Sequence, residues 1–182
     1  MGAKIPSQTQ VDTANWVARV TPFRTDLKSD FALTIATQAL LGETSYYKPE
    51  INQDAQDTAK QALLAGPHDS RIWLILALLR SQRNPRDPQV AELLKMSYFT
   101  GPNFLEVVPT RLQAVATSSV LDDPDLQELA RGDMRLILTR RPDLRSTIVD
   151  AYRRGSPAGR RFIEDSTKTI DPKFAAALPT ER

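Results

Sequence analysis

The side chains that most often perform chemistry are scarce in this sequence. His68 is the only histidine among 182 residues, and there is no cysteine. The lack of cysteine removes thiolate metal sites, disulfides and cysteine nucleophiles, and a single histidine excludes multi-histidine metal sites. A general acid or base needs partners within hydrogen-bond reach, whereas His68 and Asp69 stand together in a predicted turn between helices. We therefore interpret His68 as a solvated or capping residue.

A second candidate is the acidic segment LDDPDLQE, which contains Asp122, Asp123 and Asp125. It lacks the glycine and the distal glutamate of a calcium-binding EF-hand loop. Capping of a helix by Asp123 explains the segment, because acidic side chains are favourable at helix N-termini. The sequence also contains no GxGxxG, Walker P-loop, GxSxG or HExxH motif. These observations predict a protein that is not an enzyme and that holds neither a cofactor nor a metal.

Three pairs of adjacent arginines, here called the arginine doublets, are the main charge feature of the sequence. They are Arg140-Arg141, Arg153-Arg154 and Arg160-Arg161. Residues 131–182 contain 12 Lys and Arg against 7 Asp and Glu, whereas residues 1–130 contain 12 against 15. Such an excess can bind nucleic acid, an anionic lipid surface or an acidic protein, but only two aromatic residues, Tyr152 and Phe162, are nearby for base stacking. The pattern favours a solvated helix face that is partly paired with nearby acids (Asp133, Asp143, Asp150, Glu164 and Asp165), and nucleic acid is disfavoured as a partner. The basic patch comprises Arg140, Arg141, Arg153, Arg154, Arg160 and Arg161.

The segment YRRGSPAGRRFIED can also be read as a helix-turn-helix that recognises DNA. In that interpretation the recognition helix would begin near Ser156-Pro157. Gly155 before this point and Gly159 after it make a weak start for such a helix.

The elements that position these side chains are predicted to be helices. Apolar residues and alanines recur at spacings of three and four, and period-two alternation is scarce. The longest apolar run, Ile72 to Leu79, has eight residues, short of the roughly 20 that a membrane-spanning helix needs. Glycine-proline pairs, and prolines preceded by Asp or Ser, mark the helix boundaries. We expect a helix capped by Ser29 or Asp30, and further helices over 51–65, 70–80, 87–100, 109–119, 124–140, 143–154, 157–168 and 172–178.

The domain organisation is expected to be simple. We expect residues 1–27 to form a partly disordered N-terminal extension, residues 28–178 one domain of three to four helix pairs, and residues 179–182 a tail. The N-terminus, MGAKIPSQTQ, has no apolar stretch of the kind found in signal peptides. The sequence leaves the compartment open: we expect a soluble protein, in the cytoplasm or, where a signal or anchor precedes residue 1, in the periplasm.

A recurring spacing links the helices. One set of residues, Ala55, Ala59, Ala62 and Pro67, is separated by four, three and five positions, and its first three members share a helical face. The spacing recurs, and it indicates stacked helix pairs that bury one continuous core. The further sets are Val90, Leu94, Ser97 and Pro102; Ala130, Met134, Ile137 and Pro142; and a degenerate set of Gly159, Ile163, Ser166 and Asp171.

This spacing resembles the second helix of the tetratricopeptide repeat, in which a small, a bulky and a small residue precede a closing proline. Trp73, Leu76 and Ala77 resemble the pattern of the family's first helix. The resemblance covers about residues 30–172 and implies an all-α fold of antiparallel helix pairs, stacked as a short superhelix. The copies lie 35, 40 and 29 residues apart, against a family period of about 34, which makes the array degenerate. An irregular all-α domain whose helices end in proline is the alternative.

The resemblance also implies a molecular function, which is binding in a groove. Stacked pairs form a concave groove lined by first helices, and such grooves bind a peptide or a segment of a partner protein. Trp73 should then be buried between second helices, against the faces of the first two spaced sets. We expect a non-catalytic interaction or scaffold module, with homo-oligomerisation as an option and polyanion binding through the arginines as the alternative function. Tyr46 and Tyr47 are expected to pack over the groove edge, and the groove residues are Arg71, Leu74, Leu78, Ser81, Gln82, Gln113 and Thr117.

Overall fold

A computed structural model describes residues 7–20, 24–41 and 48–179, and every regular element in these ranges is helical. The predicted all-α class is therefore confirmed. None of the helices in these ranges is both long and apolar enough to cross a membrane. Two single turns of 3₁₀-helix, Val120–Asp122 and Pro142–Leu144, accompany the α-helices α1 (Gln8–Val20), α2 (Thr25–Leu41), α3 (Pro49–Ala65), α4 (Ser70–Arg83), α5 (Gln89–Thr100), α6 (Val108–Thr117), α7 (Pro124–Arg140), α8 (Arg145–Arg154), α9 (Pro157–Ile170) and α10 (Pro172–Ala175).

Several helices begin where the sequence supplies a capping side chain. The carboxylate of Asp69 accepts a hydrogen bond from a backbone N–H in the first turn of α4, at 3.0 Å. Asp123, Ser156 and Asp171 accept the equivalent bond in α7, α9 and α10. Each of these three precedes a proline at the first helical position, where the missing N–H would have had no partner within the helix. The helix starts predicted at Pro124, Pro157 and Pro172 are confirmed.

Two boundaries near the N-terminus differ from those expected. α2 begins at Thr25, so Ser29 and Asp30 lie inside the helix rather than at its cap, and Ser29 is buried. α1 lies within the stretch that was expected to be partly disordered. A capping residue followed by proline, the signal that marks the later helix starts, is absent at both of these starts.

Contacts divide the chain into two compact units, Met1–Pro102 and Asn103–Arg182, where the sequence led us to expect one domain over 28–178. Gly66, Gly101 and Arg141 directly follow the last residues of α3, α5 and α7, and each is followed by proline. The four spaced sets lie on α3, α5, α7 and α9. In each set, the three members that share a helical face are buried.

In the first unit, each helix from α1 to α5 packs against the next, and α2 also packs against α4. Alanines occupy the contacts between these helices, where short side chains allow backbones to approach closely. One buried cluster contains Ala32, Ala59, Ala62, Leu63, Ile72 and Leu76, and another contains Ala36, Ala55 and Leu79.

Trp73 lies at the edge of this core, which corrects the expectation that it would be buried between second helices. It packs against the cluster that contains Ala59 and Ala62, but it is only partly buried. Its indole N–H donates a hydrogen bond to the backbone oxygen of Pro67 at 2.7 Å. Because an indole N–H needs a partner when its ring packs against a core, this bond holds Trp73 beside the α3–α4 turn. Its neighbour Ile72 is fully buried.

In the second unit, α6 packs against α7, α8 and α9, and α9 also packs against α7, α8 and α10. The core of this unit is built from branched and long apolar side chains rather than from alanine alone. Those with no exposed surface are Val108, Leu112, Val115, Leu126, Met134, Ile137, Ile148 and Ile163.

The start of α9 approaches the end of α6 very closely. A Cβ atom added to Gly159 would lie 2.0 Å from the backbone oxygen of Ala116. The backbone N–H of Ser156 donates to that same oxygen at 2.9 Å. The fourth spaced set therefore contains a glycine because no larger residue fits this contact.

Candidate functional site

A groove between α6 and α8 is the strongest candidate site in the second unit. The two helices pack against each other, and their outer edges enclose a shallow cavity of about 320 Å³. Pro109, Thr110 and Gln113 line it from α6, and Thr147 and Asp150 line it from α8. Thr110 and Gln113 are three residues apart on α6, and Thr147 and Asp150 are three apart on α8, so each helix presents one polar edge to the cavity.

The polar side chains of this groove are not engaged by the rest of the protein. In the described part of the chain, the carboxylate of Asp150 makes no ion pair, and the side chains of Thr110, Gln113 and Thr147 make no hydrogen bond. The groove thus offers one negative charge, one amide that both donates and accepts, and two hydroxyls. Such a set can hold a ligand by directional hydrogen bonds.

Of the two groove residues predicted on α6, Gln113 lines this cavity and Thr117 does not. Thr117 lies one turn further along α6 and is exposed. Its hydroxyl donates a hydrogen bond to the backbone oxygen of Gln113 at 2.9 Å. This bond uses the one donor of the Thr117 side chain.

The polar groove residues predicted on α4 are engaged within the first unit. Arg71 donates through Nε and Nη2 to both carboxylate oxygens of Asp69, at 3.1 and 2.8 Å, and its Nη1 lies 3.5 Å from Asp30. Gln82 is exposed, and its Oε1 accepts a hydrogen bond from Asn52 at 2.8 Å. These contacts connect α4 to α2 and α3.

The remaining residues predicted on α4 differ in exposure. Leu74 is only 4% exposed, so the expectation that it offers an apolar contact to a ligand is corrected. Leu78 and Ser81 are half-buried. The reason is that α4 is apolar on nearly every side, and neighbouring helices cover most of its surface.

Asp69 is a structural residue of the α3–α4 turn. Burial disfavours its charged form, but hydrogen bonds from Arg71 and Ser29 outweigh burial and hold the pKa of this carboxyl below its ordinary value. The charged carboxylate is the form that caps α4. His68 lies exposed beside it.

The arginine doublets lie at the ends of helices of the second unit. Arg140 stands in the last turn of α7, and Arg153 and Arg154 in the last turn of α8, where positive charge is favourable. Among the described residues, none of these three has a carboxylate partner. Arg161 is also without one, and its Nε donates to the backbone oxygen of Pro157 at 3.3 Å.

The acids expected to neutralise the doublets do so only in part. Asp143 does pair with Arg141, at 2.6 Å. Asp133 instead pairs with Arg111 in the interior. The described part of the chain therefore keeps several free arginines on its surface.

The aromatic residues near the doublets are not free to stack on bases. The Tyr152 hydroxyl donates to the carboxylate of Glu164 at 2.6 Å. This hydrogen bond, with burial, raises the pKa of the Tyr152 hydroxyl above its ordinary value. Tyr152 and Phe162 are both buried, and Arg131 lies 5.5 Å from the ring centre of Phe162. The two aromatic residues near the doublets therefore belong to the core and are not available for base stacking.

Sequence reasoning missed Thr110, Thr147 and Asp150. The i, i+3 spacing of Thr147 and Asp150 on a predicted helix was available as a signal, but nothing in the sequence indicates that this edge faces α6. The described residues contain no group of three or more His, Cys, Asp or Glu able to hold a metal ion. Tyr46 and Tyr47 lie outside the described residues.

No protein-family model, no curated protein sequence and no solved structure matches this chain. Any functional interpretation therefore has to come from the groove, the arginines and the packing of the helices.

Proposed function

We propose that this chain is a non-catalytic binding module that holds an extended segment of a partner protein in the α6–α8 groove. One observation carries the proposal: a concave surface lined by Asp150, Gln113 and two threonines, none of whose side chains is engaged by other described residues. Polar groups that converge on a cavity fix the orientation of a bound ligand. Threonine hydroxyls and the glutamine amide suit the backbone N–H and C=O groups of an extended peptide.

The packing of the helices within each unit supports a degenerate tetratricopeptide-like arrangement of helix pairs. From α2 to α5 each helix packs on the next and α2 packs on α4, which are the contacts made by stacked helix pairs. In this scheme α6 and α8 are first helices of successive pairs, and they also pack together. First helices line the concave side of such an array, so the scheme and the groove agree.

The charge of the groove favours a partner segment with a basic side chain. Asp150 is exposed and, among the described residues that line the cavity, is the one that carries a charge. A lysine or arginine of the partner would form a charge-assisted hydrogen bond with it, which is stronger than a bond between neutral groups. Gln113, on α6, would fix the register of the partner's peptide backbone in the groove.

Selection of peptides from a random library tests this proposal. We expect selected sequences to carry a lysine or arginine at a fixed position. Their dissociation constant, measured by fluorescence anisotropy, should rise about tenfold or more in Asp150→Asn, which removes a charge-assisted bond, and about three- to tenfold in Gln113→Ala.

Asp54→Asn is the matched control, because Asp54 is an exposed acid on α3 far from this groove in sequence and outside its lining. It should bind selected peptides like the unchanged protein. Peptide binding that is indifferent to Asp150 and Gln113, or equally weakened by Asp54→Asn, would refute the groove as the binding site.

Binding of a polyanion through the basic patch is a second candidate function. It is favoured by four arginines of the basic patch that have no carboxylate partner among the described residues, namely Arg140, Arg153, Arg154 and Arg161. With Tyr152 and Phe162 buried, the attraction would come from charge alone and would fall steeply with salt. Elution of the Arg153→Gln/Arg154→Gln variant from heparin at the same salt concentration as the unchanged protein would dismiss this function.

A further inference from the structure

A second cavity lies on the outer face of α7 and is separate from the α6–α8 groove. It has a volume of about 250 Å³ and is lined by Gly132, Leu136 and Thr139, by Arg135 and Arg140, and by Asn103 before α6. Among the residues that the structure describes, it has no lining residue in common with the groove. At 3.6 residues per turn, Arg135 and Arg140 lie about 140° apart around the helix, on either side of the stripe formed by the other three α7 residues.

The two arginines of this cavity are available to a ligand. Both are exposed, and in the part of the chain that the structure describes neither has a carboxylate within ion-pair distance. Asn103 is also exposed, and its side-chain amide makes no hydrogen bond with any described residue. The Thr139 hydroxyl, by contrast, donates to the backbone oxygen of Arg135 at 2.7 Å. Positive charge and amide donors therefore dominate the open bonding capacity of the cavity.

Gly132 is the second observation that points to a ligand. It stands in the middle of α7, where glycine is unfavourable compared with alanine. No packing contact requires it, because an added Cβ would meet nothing within 4 Å. Because Gly132 has no side chain, the backbone of α7 is exposed to the cavity between the two arginines.

The size and charge of the cavity restrict the ligand. A volume of about 250 Å³ is below the range of about 300–1,000 Å³ found for drug-sized ligands. One arginine satisfies a singly charged carboxylate by a bidentate pair. Two arginines on opposite sides match a group with two negative charges and three acceptor oxygens, as a phosphate monoester has.

We propose that the α7 cavity is a binding site for a phosphate monoester group, held between Arg135 and Arg140 with Asn103 as an added donor. The open backbone at Gly132 lets the group approach the helix. The end of α7 offers no free N–H groups to an anion, so the side chains must supply the affinity. The site does not depend on the peptide groove, and either can exist without the other.

Titration of the ¹⁵N-labelled full chain with sodium phosphate and with O-phosphoserine tests the proposal. The sequence contains 7 glycines, so the Gly132 amide signal can be assigned in a sparse region of the spectrum. We expect this signal to shift saturably with both compounds and to stay in place with sodium chloride at the same ionic strength. A Gly132 signal that does not move, or that moves equally with chloride, would overturn the proposal.

Variants measured by calorimetry with O-phosphoserine give an independent readout. Arg135→Gln and Arg140→Gln should each weaken binding about tenfold or more. Arg135→Lys should bind more tightly than Arg135→Gln but more weakly than the unchanged protein, because lysine lacks the forked donors of arginine. Arg161→Gln is the charge-matched control, since Arg161 is exposed and lines neither cavity. Equal weakening by Arg161→Gln would mean non-specific attraction and would overturn the site.

The source of the phosphate group is decided by comparing O-phosphoserine with a phosphoserine peptide and with the same peptide unphosphorylated. Equal affinity for the amino acid and the phosphopeptide indicates a small phosphorylated metabolite. A phosphopeptide that binds at least tenfold more tightly indicates a phosphorylated protein segment. An unphosphorylated acidic peptide that binds as well as the phosphopeptide would show recognition of charge alone, and would contradict the proposal. Binding of basic peptides in the α6–α8 groove should be unchanged in Arg135→Gln, which separates the two sites.

Discussion

Arg111 is the largest side chain of the described protein with no exposed surface. Its Nε and Nη2 atoms donate to the two carboxylate oxygens of Asp133, at 3.2 and 3.0 Å, and Asp133 is 3% exposed. The pair joins α6 to α7 in the interior of the second unit. A charge in such a position is tolerated only when it is paired and hydrogen-bonded.

Removing one partner of this pair should lower the free energy of unfolding more than removing both. Arg111→Met leaves the Asp133 carboxylate buried without its cation, and we expect the free energy of unfolding in urea to fall by about 3–5 kcal/mol. The double variant Arg111→Met/Asp133→Leu should recover much of this loss, because neither charge then has to be desolvated. A single variant that loses less than about 1 kcal/mol, or a double variant no more stable than the single, would contradict this account.

Individual contacts of this kind were beyond what the sequence could indicate. Arg111 and Asp133 are 22 positions apart, and Asp133 was expected to pair with one of the nearby doublets. On α4 the spacing of Trp73, Leu76 and Ala77 predicts correctly that they belong to a helix. Because nearly every side of α4 is apolar, the pattern does not tell which residue faces the interior, and Trp73 and Leu74 were therefore misplaced.

At the scale of elements, two glycines of the second unit have opposite roles. Gly159 lies where α9 crosses the end of α6, and a Cβ there would overlap the backbone of Ala116. Gly132 lies on the open face of α7, where a Cβ meets nothing within 4 Å. The same substitution should therefore change stability in opposite directions at the two positions.

We expect Gly159→Ala to lower the free energy of unfolding by about 1–3 kcal/mol, because the helices must move apart to admit the methyl group. Gly132→Ala should raise it by about 0.5–1 kcal/mol, because alanine restricts the unfolded chain and favours helix. Urea unfolding followed by circular dichroism measures both. Destabilisation by Gly132→Ala would show that this glycine has a structural role, and a neutral Gly159→Ala would show that α9 does not approach α6 so closely.

The helices themselves were largely predictable from local chemistry. α7 spans Pro124–Arg140, the range expected from its capping aspartate, its proline and the Arg141-Pro142 stop. The start of α2 was predicted five or six residues too late, because the sequence before Thr25 lacks such a signal. Which helices pack together was less predictable. The crossing of α9 over α6 depends on the missing side chain of Gly159, and a sequence does not distinguish a glycine required by close packing from one that ends or loosens a helix.

For the whole molecule, the sequence predicted the fold class but not the division into two units. Gly101-Pro102 at the boundary resembles Gly66-Pro67, which lies inside the first unit. Both pairs end a helix for the same reason, so neither is recognisable as a boundary. Gln113 was named as a groove residue from the tetratricopeptide resemblance, and it lines the α6–α8 cavity. Thr147 and Asp150 on α8 could not be named, because the sequence does not indicate that α8 packs on α6.

Carboxylates paired in the folded state determine how the whole molecule responds to acid. Hydrogen bonds from Arg24 lower the pKa of Asp26 to about 2, and a hydrogen bond from Arg141 lowers the pKa of Asp143. Both of these pairs lie at the surface, where water and salt weaken the interaction. Asp69 differs, because its side chain is only 17% exposed and its carboxylate also caps α4.

We expect stability to fall at low pH, with Asp69 as a main contributor. A folded-state pKa below the unfolded value of about 3.9 means that the charged carboxylate contributes stability above about pH 4. This contribution is lost as pH falls through the lower folded-state pKa. Asp69→Asn, which keeps a capping side chain but removes the charge, should lower the free energy of unfolding by about 1–2 kcal/mol at pH 6. Its difference from the unchanged protein should shrink towards zero as the pH is lowered below about 4.

Asp143→Asn serves as the comparison, since its pair with Arg141 is exposed. Any effect of this variant at pH 6 should disappear in about 0.5 M sodium chloride, whose screening length is only a few ångströms. The effect of Asp69→Asn should persist in that salt, because Arg71 and the first turn of α4 hold the carboxylate in a half-buried site. Equal sensitivity of the two variants to salt, or an Asp69→Asn difference that grows as pH falls below about 4, would mean that the α3–α4 turn does not hold Asp69 in its charged form.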